Sequence, residues 1–198
     1  MKKTNLTLNS SYIILFIIAI FYAVGNFIWW KLNTPIIPYG ISAVHLFGAF
    51  LDSFLYLYYA PLVTWIMKAM FFIFGKEYFD LQIIFVNYVF FLLSLFFIYK
   101  IGYKLKDKFT GNISMILFSL TPSIYMMSRY YGHQDWHIVS TIIINIYCLI
   151  NTNYFTNRKW SFIYGISIGF GALVKDTFLP YFIVTFLFSV IYTFFIKL

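Results

Sequence analysis

The chain has 198 residues, of which 62% are hydrophobic and only 10% charged, with a mean hydropathy of +0.83. Soluble domains carry about 25% charged residues, so this composition excludes a water-soluble globular fold. The net charge of +8 comes from basic residues flanking apolar runs, a pattern that membrane loops explain and a nucleic-acid surface does not.

Lys2 and Lys3 precede an apolar run from Ser11 to Trp30, long enough to cross a bilayer. Ala23, Val24 and Gly25 have the spacing of a signal-peptide cleavage site. The run nevertheless continues to Trp29 and Trp30, which suit an interfacial belt, so it reads as an uncleaved first span. Residues 31–80 are interrupted by Pro35, Pro38 and Pro61 and carry His45 and Asp52. Within them, Leu62 to Phe74 is apolar but only roughly 13 residues long, with Lys68 in the middle, and is predicted to lie in the membrane interface. Leu81 to Tyr99 is the next span and runs into a loop crowded by Lys100, Lys104, Lys106 and Lys108. Asn112 to Met127 returns, interrupted by Pro122, and Trp136 to Ile150 crosses back to the basic stretch around Arg158 and Lys159. Ser161 to Val174 carries Gly165, Gly169 and Gly171, a spacing that predicts close approach of a neighbouring helix. Thr177 to Ile196 closes the series.

The predicted fold class is therefore all-α: a polytopic membrane protein with about six transmembrane helices plus an interfacial helix in the first outer loop. Residues 1–198 read as a single membrane domain. Lys2, Lys3, Lys100, Lys104, Lys106, Lys108, Arg158, Lys159 and Lys197 fall on one side. Lys31, Lys68, Lys76, Arg129 and Lys175 fall on the other. That bias places both termini in the cytoplasm. The acidic residues sort the opposite way, with Asp52, Glu77, Asp80, Asp135 and Asp176 outside and Asp107 inside. Acidic residues contribute little to topology, so a function on the outer face is the expected reason.

The densest polar stretch runs from Ser128 to His137 at the outer end of two spans. Ionisable residues at such a position are functional candidates, because burying them near lipid is costly without partners. His133, Asp135 and His137 would share a face in an extended turn, whereas in a helix only His133 and His137 would. The trio reads either as ligands for a divalent cation or as a solvated loop with incidental histidines. Lys175 and Asp176 are an interfacial anchor, or else Lys175 neutralises a phosphate while Asp176 holds it. His45 and Asp52, seven residues apart, share a helix face. Asp52 is a surface carboxylate, or a base toward an acceptor hydroxyl with its pKa raised by burial.

Taken in order, these features resemble a known family. Tyr58-Tyr59-Ala60-Pro61-Leu62 ends the outer loop, and Phe74-Gly75-Lys76 closes the interfacial helix. Gly102-Tyr103-Lys104-Leu105, Leu120-Thr121-Pro122-Ser123, Ser128-Arg129 and Asp135 follow. After Asn157-Arg158-Lys159-Trp160 comes the run from Gly165 through Gly169 and Gly171 to Lys175-Asp176-Thr177. The set is similar to the GT-C membrane glycosyltransferases, in particular the dolichyl-phosphate-mannose protein mannosyltransferase-like superfamily. The resemblance implies transfer of a sugar from a polyprenyl-phosphate donor to a lipid, glycan or protein acceptor at the non-cytoplasmic face of the plasma membrane. It implies Asp52 and Asp135 as catalytic carboxylates, and Arg129 and Lys175 on the donor phosphate. His45, His133 and Asp176 would complete the substrate-contacting set. A divalent cation would assist the leaving phosphate, and no nucleic acid is involved.

Two departures qualify this expectation. Ile41-Ser42-Ala43-Val44 supplies no acid before His45, where the family usually carries one. The chain is also shorter than family members generally are, and reads as their N-terminal half. The rival expectation is a non-catalytic homologue or accessory subunit that binds polyprenyl phosphate or a partner transferase. A small transporter is a third reading, weakened by span centres almost free of charge and by the lack of repeat symmetry.

Overall fold

The computed structural model describes residues 6–33, 61–127, 134–175 and 177–196, and these residues form helices and short turns only. Helix α1 is Leu6–Asn33, α2 Leu62–Phe74, α3 Phe79–Leu105, α4 Lys108–Leu120, α5 Pro122–Met127, α6 Gln134–Thr152, α7 Arg158–Val174 and α8 Phe178–Ile196. Two stretches are long and apolar enough to cross a bilayer, Ser10–Leu32 within α1 and Phe79–Leu105; Leu62–Phe74, Trp136–Thr152 and Phe178–Ile191 are shorter apolar helices. The helix predicted for Leu62 to Phe74 has those bounds in the structure. It ends at Gly75, whose φ of +78° suits a residue without a Cβ. The stretch from Asn112 to Met127 is two helices. Thr121 is extended between them (φ −67°, ψ 119°), because a following proline disfavours the helical region and then starts the next helix itself.

Long-range hydrogen bonds and ring contacts fix how the helices run. Along α3 and α6 the partners advance together. The Trp136 indole donates to the Asn87 carbonyl at 3.1 Å, Ser94 donates to Ser140 at 2.8 Å, and Lys104 reaches Asn151 at 2.6 Å. These two helices are therefore parallel. Helix α1 is antiparallel to α3, since Tyr88 donates to the Ala19 carbonyl at 2.8 Å while Lys108, beyond the end of α3, reaches Ser10 at 2.6 Å. The core lies where α1, α3, α4 and α6 meet. Tyr22 stacks on Phe91 at 3.9 Å, and Phe91 and Phe118 flank Trp136 at 6.1 and 6.3 Å. Phe91, Leu95 and Trp136 are fully buried. Aromatic contacts of this kind add about 0.5–1.5 kcal/mol each beyond area burial.

The lysine-rich segment is tighter than the sequence suggests. Helix α3 continues to Leu105, so Lys100 and Lys104 are helical and only Lys106 and Asp107 form the turn. Asp107 caps α4 by accepting from the Thr110 amide at 2.8 Å. A close helix approach is also here. A Cβ on Gly102 would sit 2.8 Å from the Gly111 Cα, and one on Gly111 would sit 2.7 Å from the Tyr99 carbonyl oxygen. The three glycines singled out in α7 behave differently. Nothing lies within 4 Å of a Cβ on Gly165 or Gly169, while one on Gly171 would meet the Phe178 ring at 2.5 Å. Of the three, only Gly171 makes room for a neighbour, and that neighbour is a side chain.

Candidate functional site

The parallel and antiparallel pairings give the bundle two ends of different character. One collects Ser10, Lys104, Lys106, Lys108, Asn151 and the Asn157-capped start of α7, where Asn157 accepts from the Trp160 amide at 3.3 Å. The other collects the Gly75–Tyr78 turn, Pro122, the start of α6 and Lys175 between α7 and α8. The predicted site residues that the structure describes belong to the second end.

Lys175 is held in an extended conformation by its neighbours. Its amide donates to the Gly171 carbonyl at 3.1 Å, and its carbonyl accepts from the Phe178 amide at 3.0 Å. Its side chain is half-buried. Next to it, α6 and α8 enclose a groove of about 350 Å³ lined by Ile142, Asn145, Phe178, Tyr181 and Thr185. The backbone of Asp135 lies in the first turn of α6. His45, Asp52, Arg129, His133 and Asp176, and the side chain of Asp135, lie outside the described residues. The structure thus brings the Asp135 backbone and Lys175 to one end of the bundle.

His137 does not sit in a solvated loop. It is 1% exposed in α6, with its ring edge-on to Phe90 at 4.5 Å. Because residues from Gln134 onward are helical, Asp135 and His137 are two positions apart on a helix, a spacing that does not share a helix face. The backbone at Asp135 and His137 is thus helical rather than an extended turn, and His133 lies outside the described residues. Among the described residues no three His, Cys, Asp or Glu side chains come close enough to share a metal.

The acidic sorting gains a physical component. Asp80 is in the first turn of α3, Asp107 caps α4 and Asp135 is in the first turn of α6. Negative charge is favoured at these positive helix ends by about 0.3–1 kcal/mol. Function is no longer the sole reason for where these carboxylates lie.

A polar seam between the helices was not anticipated from the sequence. Ser94 and Ser140 join α3 to α6, and both hydroxyls also turn to the Phe90 carbonyl. Asn145 donates to Ser167 at 2.9 Å and joins α6 to α7. Trp136 and Ser140, four residues apart, share the α6 face toward α3, and that spacing is a signal the sequence offered; Asn145 lies on another face, toward α7. The Trp136 and Ser140 bonds hold the start of α6 against α3, and the Asn145–Ser167 bond ties the middle of α6 to α7.

Residues 59–197 match the family model described as dolichyl-phosphate-mannose-protein mannosyltransferase. The chain belongs to this family. The match takes in α2 through α8, including the start of α6 and the α7–α8 turn. No curated protein and no solved structure matches the chain. At family level the chain is a mannosyltransferase-like glycosyltransferase of the membrane.

Proposed function

We propose that the protein transfers a sugar from a polyprenyl-phosphate donor to an acceptor hydroxyl, at the face of the plasma membrane opposite its lysine-rich end. The observation that carries this reading is the family match over residues 59–197. The arrangement of the bundle supports it, because Lys175 and the start of α6 share one end, beside an apolar groove of about 350 Å³. In this reading Lys175, with Arg129, holds the donor phosphate while the prenyl chain lies among the helices. His45, His133 and Asp176 contact the substrates.

The chemistry follows from the groups. Asp52 takes the proton of the acceptor hydroxyl, and that oxygen forms a bond to the anomeric carbon. The bond from that carbon to the lipid phosphate oxygen breaks in line, and the phosphate leaves with the electron pair. Lys175 and Arg129 offset the charge that develops on the phosphate, and Asp135 orients the reacting groups. Chelator titration of the same reaction reads its dependence on a divalent cation.

The test uses membranes containing the full chain and labelled polyprenyl-phosphate sugars. Asp52→Asn is expected to abolish transfer, and unchanged turnover would remove Asp52 from the mechanism. Lys175→Met is expected to weaken donor engagement and slow transfer by about 10- to 100-fold, as lost charge-assisted contacts of about 1.5–3 kcal/mol would. One observation favours a second reading, a non-catalytic homologue that binds polyprenyl phosphate: Ile41 to Val44 provide no acid before His45. Saturable binding of labelled polyprenyl phosphate with no transfer to any acceptor class would select it.

A further inference from the structure

The lysine-rich end of the bundle carries positive charge that its own carboxylates do not offset. Lys100, Lys104, Lys106, Lys108, Arg158 and Lys159 lie there, and Asp107 is the one acid among the described residues at that end. Asp107 is committed to the Thr110 amide. Lys104 and Lys108 donate to neutral oxygens, those of Asn151 and Ser10, each at 2.6 Å. Lys100 lies over the Phe96 ring at 5.3 Å. Lys108, Arg158 and Lys159 occupy first helical turns, where the helix dipole disfavours a cation. An anion held at this end is therefore favoured by side chains and helix starts together.

The surface beside the cations selects which anion. Phe97 packs on Tyr147 at 5.1 Å and Tyr147 on Trp160 at 5.6 Å, so an aromatic path runs from α3 across α6 to α7. All three rings are half-buried. Lys104 follows Phe97 by two helical turns, and Arg158 and Lys159 immediately precede Trp160. The cations thus cap the polar end of an apolar wall, with Leu105 and Phe162 exposed beside them. Tyr and Trp in such a place mark the level of lipid headgroups. In a bilayer acyl chains cover that wall, so the headgroups directly above them are what the cations meet.

We propose that the ends of α3 and α6 and the start of α7 form a binding site for an anionic phospholipid. Lys104, Arg158 and Lys159 face its headgroup, and its acyl chains lie on Phe97, Tyr147 and Trp160. The site is independent of the sugar-transfer reading, and its test contains no transfer step.

The experiment is native mass spectrometry of the full chain in neutral detergent, with equimolar phosphatidylglycerol and phosphatidylcholine of identical acyl chains. Both headgroups carry a phosphate and choline cancels its charge, so the ratio of bound lipids reads net charge. Phosphatidylglycerol is expected to be favoured by at least about fivefold, the gain from one basic residue near an anionic headgroup. Combining Lys104→Gln, Arg158→Gln and Lys159→Gln is expected to bring the ratio within about twofold of unity. Lys31→Gln with Lys76→Gln, at the opposite end, is expected to leave it unchanged, as is the charge-keeping pair Lys104→Arg with Lys159→Arg. Equal binding of the two lipids by the unmodified chain would overturn the proposal. So would a preference that the triple variant keeps, or one that the opposite-end pair loses equally. Equal lipid binding together with saturable binding of an oligoglutamate peptide would overturn it in favour of an acidic protein segment. If the triple variant does not fold, Lys104→Gln alone and a salt series on the unmodified chain decide. The preference then has to fall in both, as screening of charge requires, and persistence in either overturns the site.

Discussion

Asp107 shows how a single side chain that breaks a charge pattern can be explained by local geometry. It is the one acid among lysines, and it accepts from the Thr110 amide at 2.8 Å as the cap of α4. Its carboxyl is held below the ordinary carboxylate range, first by the Thr110 amide, then by the Thr110 side chain, with smaller help from Lys106 and the Phe109 amide. A depressed folded-state pKa means the contribution to stability is fully present above the unfolded value of about 3.9 and fades as pH falls through the folded value. Asp107→Ala is expected to lower the melting temperature in detergent by a few degrees at pH 7. At a pH below both values, wild type and variant should melt together. A thermal melt series across pH measures both. That Asp107 lies in the lysine-rich turn was legible in the sequence. Its capping role was not, because the sequence did not reveal that α3 runs on to Leu105 and leaves only a two-residue turn.

At the scale of helices, the glycines separate what spacing can tell from what it cannot. The run of Gly165, Gly169 and Gly171 has the periodicity of a helix contact face, yet Gly165 and Gly169 meet nothing within 4 Å. Gly102 and Gly111 have no such periodicity because they lie on two helices joined by a tight turn, and they are where backbones touch. Periodicity reports one helix face, while close approach depends on the partner. Gly111→Ala is expected to destabilise the protein by about 1–3 kcal/mol, because the new methyl meets backbone atoms of Tyr99 and Tyr103 that cannot move aside. Gly165→Ala is expected to be neutral or to stabilise by up to about 1 kcal/mol, since it gains helix propensity and meets no neighbour. Chemical unfolding in mixed micelles ranks the two, and the opposite order would refute this account of the packing. The Asn145–Ser167 bond gives a parallel test. Interhelical hydrogen bonds in membranes couple by about 0.6 kcal/mol on average and by about 1.7 at most, so a double-mutant cycle with Asn145→Ala and Ser167→Ala is expected to return a value in that range.

For the whole molecule, the sequence made the order of elements legible because hydrophobic runs and flanking charges are local signals. Leu62–Phe74 appears with its predicted bounds, Leu81–Tyr99 extends to Phe79–Leu105, Asn112–Met127 is split in two at Thr121, and the last three helices have ends moved by one to three residues. The sequence did not reveal the burial of His137 or the polar seam, since both depend on which faces of α3, α6 and α7 meet. The pairings do separate the two ends: Lys108 reaches back to Ser10 and Lys104 to Asn151, while Glu77 and Lys175 lie at the far end. The proposed transfer reaction needs that separation to be a membrane-wide one, with the lysine-rich end in the cytoplasm as positive charge on short loops dictates. The native Cys148 is buried and shielded, so a Cys148→Ser background carrying one introduced cysteine gives a clean report. Lys106→Cys is expected to react with an impermeant maleimide only after the inner face is opened. Glu77→Cys, exposed at the other end, is expected to react in intact cells. Labelling of both from the same side would mean the bundle does not span the membrane as a unit. The reverse pattern would put Lys175 and the start of α6 in the cytoplasm and remove the proposed site from the face where its substrates are expected.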